Sequence, residues 1–236
     1  MRNSQTVAAL GAFRQQARIS HTIANNLSNV QTAGFKRDVS VFNSILSQAR
    51  NRFQNVGNDT SKISFLPGST QKTGNALDLA IEGDGFFKVK TTNGIRYTRS
   101  GNFGLNKDRV LINAEGLPVL GQRGEITVNG KNIVVESNGS IKVDGNEVGQ
   151  IALVTFPTLD ALQKEGHTLF QSPSPENETA ADRSEILQGA LEGSNVNPIQ
   201  EMLSLLDSHR TYEACIKIIQ SDDTLDSKAV NEIGRV

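Results

Sequence analysis

Two stretches at opposite ends of the chain repeat apolar residues every three or four positions, and together they outrun what the sequence between them can cover. Towards the C-terminus the repeat runs Met202, Leu205, His209, Tyr212, Ile216, Ile219, Asp223, Asp226, Val230, Ile233. That spacing brings side chains onto one face of an α-helix. Asn197-Pro198-Ile199-Gln200 gives it a start: an N-cap Asn, a Pro at the first helical position, and a Gln placed to close a capping box. A helix from Pro198 to Ile233 is ~54 Å long, beyond most globular helices. At the other end Leu10, Phe13, Ala17, Ser20, Ala24 and Leu27 keep the same spacing, which predicts a helix over about Gln5 to Asn29. It narrows to a coiled-coil-like seam, with Ala17, Ser20 and Ala24 small enough for a partner helix to come close. Gly34 suits a positive φ after the last turn.

The middle changes period. Leu77–Glu82, Phe86–Lys90, Glu125–Asn129, Asn132–Glu136 and Ile151–Phe156 are short β-prone runs. Asn93-Gly94, Asn129-Gly130, Asn138-Gly139 and Asp144-Gly145 lie among them, and such dipeptides suit type I′ turns. The expected fold class is α+β: a mainly-β central domain, a small antiparallel barrel or sandwich, with N- and C-terminal helices pairing as a coiled coil. The expected divisions are an N-terminal helix in 1–35, a connector in 36–72, the β-rich domain in 73–189, and the C-terminal helix in 190–236. Within the connector, Val39–Leu46 is a candidate helix and Asn51–Ser64 a polar linker. Ser172–Asp182 reads as a polar exit loop. A β domain this small cannot bury two such helices along their lengths. They must pack on each other or on neighbouring copies, or stay disordered.

Charge and composition exclude several classes. Net charge is −1, which argues against a generic nucleic-acid binder held by counterion release. No window approaches the ~20 apolar residues of a membrane span. The start of the chain does not read as a secretory signal peptide, which by itself suggests a cytoplasmic protein unless export proceeds without a cleaved signal. The charge is polarised. Residues 1–66 hold 8 Lys/Arg against 2 Asp/Glu, and residues 190–236 hold 4 against 8. Opposite signs favour the two ends meeting, although solvated helix faces would look the same.

No catalytic constellation emerges. His21, His167 and His209 have no metal-binding spacing, and Cys215 has no evident base beside it, so no metal, cofactor or small-molecule substrate is expected. Ser69-Thr70-Gln71-Lys72 and Lys72-Thr73-Gly74 mimic two hydrolase motifs, but they share Lys72, whereas the chemistry needs them on separate elements. Gly83-Asp84-Gly85 lacks the remaining elements of a phosphate loop and reads as a tight turn. Asp222, Asp223 and Asp226 read as a solvated helix face. Asn25, Asn26 and Asn29 cost helix propensity, and either fraying or packing against backbone in an assembly accounts for them.

Ala24-Asn25-Asn26-Leu27-Ser28-Asn29-Val30, followed by Thr32-Ala33-Gly34-Phe35-Lys36-Arg37, resembles the flagellar rod and hook family through its N-x-x-T-x-G-F-K form. Leu77–Ile81 leading into Gly83–Phe87, Tyr97–Phe103, Gly189–Asn197 and Arg210–Glu213 are similar to the family in the same order. The resemblance implies a non-enzymatic structural subunit of the bacterial basal-body rod, with inner paired helices and an outer β domain. It implies polymerisation with itself and other rod proteins into a hollow, torque-transmitting shaft. It also implies export through the flagellar type III apparatus without a cleaved signal, and assembly in the periplasm. The expected subunit-packing residues are Leu10, Phe13, Ala17, Ala24, Asn25, Asn26 and Leu27 at one end, with Met202, Leu205, Leu206, Tyr212, Ile216 and Ile219 at the other. A soluble adaptor that grips another protein with its helices is the alternative from a different class; it expects protected helices in the isolated chain, where the rod reading expects them frayed. A cell-wall hydrolase rests only on Ser69 and Lys72.

Overall fold

A computed structural model describes residues 2–40, 61–181 and 183–233. In the first helix it describes side chains from residue 11 on, Ala12 apart, and in the last those up to Thr224, apart from Ile219, Asp222 and Asp223. The chain is mainly β with a long helix at each end, α1 (Arg2–Ser28) and α2 (Pro198–Ile233). It divides into two units. One comprises Met1–Ser28, Asp38–Lys62 and Asn197–Val236, and the other Asn29–Arg37 and Ile63–Val196.

In the helical unit, α2 starts where the sequence signals it. The Asn197 side-chain oxygen accepts hydrogen bonds from the Ile199 and Gln200 amides at 3.1 and 3.3 Å, satisfying two donors that a helix start leaves open. Strand Asp38–Ser40, paired with Ser61–Ile63, occupies the start of the stretch expected to be helical, and residues 41–46 of that stretch lie outside the described residues. Of the expected polar linker, only 61–64 are described.

The β unit is built on strand Phe86–Thr91, which pairs antiparallel with Gly94–Thr98 on one side and with Val119–Gly121 and Leu153–Thr155 on the other. Gly94–Thr98 pairs in turn with Leu169–Gln171, and that strand with Gln163–Glu165. Because successive side chains in a strand point to opposite faces, Phe86 and Phe87 serve different cores. Phe87 and Val89 join Leu79, Phe103, Leu111 and Val119, while Phe86 joins Tyr97, Val154, Phe156 and Phe170. Both faces of this strand are therefore covered. A three-stranded meander, Ile133–Val135, Ser140–Val143 and Asn146–Gln150, adds Val135, Ile141 and Val143 to the first cluster. The sheets stay open, and among the described residues no barrel closes.

Of the four dipeptides, one forms the expected turn: Asn93, Asn129 and Asn138 do not take a positive φ, and only their glycines, Gly94, Gly130 and Gly139, do. Asp144 and Gly145 take φ of 50° and 88° between the last two meander strands, the two positive values a type I′ turn demands. The stretch expected to be an exit loop is instead tied down. Thr179–Ala180 pairs with Leu153–Thr155, and Glu178 receives Lys88 Nζ at 2.6 Å and the Tyr97 hydroxyl at 2.9 Å. Glu178 lets Tyr97 and Lys88, facing each other in register, keep their polar ends satisfied beside the aromatic core.

The base of the β unit is organised by charge. Glu192, with a side chain 3% exposed, accepts from Lys36 Nζ at 2.6 Å and from the Gly68 amide at 3.0 Å on Oε1, and from Arg99 Nη1 at 3.4 Å on Oε2. Lys36 also donates to the Leu66 carbonyl and Arg99 to the Gly83 carbonyl, each at 2.9 Å. Burial pulls both cations' pKa values below their ordinary ranges, and the facing Glu192 carboxylate offsets only part of that. The Lys36 and Glu192 backbones are drawn together as well. The Gly34 amide donates to the Glu192 carbonyl at 2.8 Å, and Asn195 Oδ1 accepts from the Arg37 amide at 2.7 Å. Every fixed residue of N-x-x-T-x-G-F-K has a part in this base. The Thr32 hydroxyl donates to Asn29 Oδ1, Gly34 takes a φ of 71°, and Phe35 and Lys36 are fully buried.

Two substitutions test this. Glu192→Gln keeps the shape but removes the carboxylate charge facing both buried cations, with Asp84 alone remaining near Arg99, and should cost the β unit about 3–5 kcal/mol in urea unfolding. Lys36→Met leaves the carboxylate with Arg99 and the Gly68 amide, and should cost less; equal losses would contradict the arrangement. Gly34→Ala would place a Cβ 2.2 Å from the Ser100 backbone nitrogen at a positive φ. The φ alone should cost about 1–3 kcal/mol, with the clash adding to it; a thermal midpoint unchanged from the parent would show that this backbone relaxes freely.

Candidate subunit-packing surface

In the helical unit α1 and α2 run antiparallel, as the order of contacts shows. The Phe13 ring lies 5.0 Å from Tyr212, Gln16 meets Ser208, and Asn26 meets Glu201. The buried or half-buried line on α1 is Phe13, Gln16, Ser20, Ile23 and Leu27, and on α2 it is Glu201, Leu205, Ser208, Tyr212 and Ile216. Sequence spacing placed Phe13, Ser20, Leu27, Leu205, Tyr212 and Ile216 on these faces. It also placed Ala17, Ala24, Met202 and His209 there, and all four are exposed. Each helix is therefore rotated by about one residue from the expected line. With 3.6 residues per turn, a 3-4-3-4 and a 4-3-4-3 series share every second position, and only the partner decides between them. Gln16 was passed over because it is polar; its burial depends on Ser208, far away in the sequence.

Asn26 is fully buried, and its role lies inside the unit. Its Nδ2 donates to the Asp38 carbonyl at 2.8 Å while its Oδ1 accepts from the Asp38 amide at 2.9 Å, as a neighbouring strand would. Asn25 Nδ2 donates to the Asp38 carboxylate at 3.2 Å. Both ends of its amide are thus used on the chain's own backbone. Its signal in the sequence was a polar residue in a helical interior without a local partner. Of the remaining expected packing residues, the side chains of Leu10 and Ile219 lie outside the described residues.

What remains open to contact is a stripe on the opposite side of α2. Ile199, Met202, Leu203 and Leu206 are each more than half exposed, and Ile218 lies further along at 62%. The spacing i, i+3, i+4, i+7 makes the first four one continuous patch. On α1 the exposed positions include Arg14, Ala17, Arg18, His21 and Ala24. Over its whole length α1 carries Arg2, Arg14 and Arg18 and no Asp or Glu, whereas α2 carries seven acidic residues against three basic ones. Among the described residues no group of His, Cys, Asp and Glu is arranged to hold a metal ion, and no helix is long and apolar enough to cross a membrane. Cys215 is a free, partly buried thiol.

Comparison with known proteins matches both units. A family described as the flagellar hook protein FlgE/F/G D1 domain covers residues 80–143, and one described as the flagellar basal body rod FlgEFG protein C-terminal covers residues 187–232. The flagellar basal-body rod protein FlgF of Caulobacter vibrioides is 32% identical over 225 residues, 91% of each chain. FlgG of Borreliella burgdorferi is 33% identical over 254 residues, covering 92% of this chain and 94% of its own. FlgF of Mesorhizobium japonicum is 31% identical over 242 residues, 99% of each. The similarity runs through α1, the β unit and α2 together, and the chain belongs to the flagellar basal-body rod protein family.

Proposed function

We propose that the chain is a structural, non-enzymatic subunit of the bacterial flagellar rod, which polymerises with copies of itself and with other rod proteins into the shaft that transmits torque. The carrying observation is the apolar stripe Ile199, Met202, Leu203 and Leu206, uncovered in a single chain whose full length is related to rod proteins. Exposed apolar area of this kind marks a contact surface. In the rod, neighbouring copies cover it, the paired helices form a coiled coil, and the β unit is a sandwich-like domain.

The basic α1 and acidic α2 favour contacts between unlike helices of neighbouring copies. Ala17 and Ala24, on the free side of α1, let such a helix approach closely, while Arg14 and Arg18 meet its acidic side. Within the family the proximal rod is the preferred position, the role of the subunit named FlgF. The short segment between Phe35 and Leu77 and the ending Asp226–Arg235 support it; the distal rod is the second reading. Assembly in the periplasm follows export through the flagellar type III apparatus without a cleaved signal peptide.

Each of the four side chains would contribute about 1.5–3 kcal/mol on burial, against the entropy of ordering the helices. Leu206 is 57% exposed, so Leu206→Asp should leave the chain as stable as the parent in thermal unfolding. It should nevertheless fail to restore swimming, or basal bodies visible by electron microscopy, to cells lacking the native rod protein. Normal rods built from this variant would remove the stripe from the interface.

A further inference from the structure

The helical unit contains a polar cluster that the apolar stripe does not explain. Gln16 Nε2 donates to the Ser208 carbonyl at 2.8 Å and to the Ser208 hydroxyl, and Ser20 Oγ lies 2.7 Å from that hydroxyl. Ser20 Oγ also donates to the Gln16 carbonyl at 3.0 Å. A serine hydroxyl has one proton, so with Ser20 donating to Gln16, Ser208 must donate to Ser20. The three residues then close a ring: Gln16 amide to Ser208 hydroxyl, Ser208 hydroxyl to Ser20 hydroxyl, Ser20 hydroxyl to Gln16 carbonyl. Gln16 and Ser208 are 9% and 4% exposed, so this ring replaces water at the centre of a helix–helix face.

Apolar contacts have little directionality. Phe13, Ile23, Leu205 and Tyr212 would find comparable burial if α2 slid one turn along α1, or if α1 came from another copy. The ring does not tolerate the slide, and an α1 from another copy, carrying the same Gln16 and Ser20, satisfies it only at the same alignment. A slide of one turn, ~5.4 Å, separates the bonds that cross between the helices, Gln16 to Ser208 and Ser208 to Ser20, while the Ser20-to-Gln16 bond within α1 persists, and it leaves a buried amide and the Ser208 hydroxyl without partners. A single buried polar layer is a well-attested way of fixing register and partner in paired helices, at some cost in stability.

We propose that Gln16, Ser20 and Ser208 are a register key, determining that α2 pairs with α1 at one alignment. The key rests on the rod reading in one respect: the alignment it fixes decides that Ile199, Met202, Leu203 and Leu206 are the apolar face left for neighbouring copies.

The test uses the full chain with Cys215→Ala, spin-labelled at the exposed positions Ala17→Cys and Arg210→Cys. Inter-label distances are measured by double electron–electron resonance, alone and with excess unlabelled chain. The parent seam is expected to give one narrow distance that dilution leaves unchanged. Gln16→Leu with Ser208→Ala should stay helical by circular dichroism but give a second distance displaced by about 5 Å, one helical turn, which unlabelled chain leaves in place. Ser208→Thr keeps the hydroxyl and should restore the single distance. The same single distance in the double variant, or a broad distribution in the parent, overturns the key. A fixed register in a chain that never builds rods would leave the key standing and sink the rod reading instead.

Discussion

Glu192 is where the β unit is held to itself. Its one carboxylate answers Lys36, Arg99 and the Gly68 amide, groups supplied by three segments far apart in the sequence. The two sheet cores are apolar and would tolerate small displacements, since hydrophobic burial fixes proximity rather than position. A buried carboxylate between two cations has no such latitude: each side chain is stable in that place only while the others keep theirs. The segment that follows α1 and the segment that precedes α2 are bound to this point, by the Gly34 amide to the Glu192 carbonyl and by Asn195 to the Arg37 amide. The β unit thereby carries both chain exits on one rigid base. The motifs around Phe35-Lys36, Arg99-Ser100 and Glu192-Gly193, which look unrelated along the chain, are parts of one cluster.

The helical unit works with different materials. Its interface is thinly apolar and relies on amides and hydroxyls, with Asn26 treating the Asp38 backbone as a strand neighbour would and Gln16 binding Ser208. The exposed side of α2 presents the apolar stripe Ile199, Met202, Leu203 and Leu206. Directional bonds discriminate among partners because a wrong partner leaves a buried group unsatisfied; apolar patches reward many partners nearly alike. Such a division of labour suits a chain that must first recognise itself and then accept neighbours.

How much of this could be read in the sequence depended on the range of the interaction. Features set within a few residues were legible: the Asn197-Pro198 start of α2, the Asp144-Gly145 turn, the positive φ at Gly34. Element type was legible wherever the period was sustained, as in both helices and in the strands around Leu79–Glu82, Phe86–Thr91 and Ile133–Val135. Short strands such as Thr70–Lys72 and Thr179–Ala180 had no signal of their own, because a two- or three-residue strand exists only through its partner. The same limit governed the helix faces. Neither helix could reveal that Gln16 belongs inside and Met202 outside, since the deciding partner for each lies nearly two hundred residues away.

The helix faces that pair within the chain lie about one residue from the expected lines, and the displacement bears on assembly. The rotation commits Gln16 and Ser208 to the interior and turns Met202 outward, where it joins Ile199, Leu203 and Leu206. The chain gives up some stability of its own helix pair by burying polar groups where leucines would fit, and gains a stripe that only association can cover. For a subunit that acts as part of a shaft, this is the sense in which the isolated fold is incomplete: its helix pair is joined by hydrogen bonds of its own, while its apolar stripe is left uncovered.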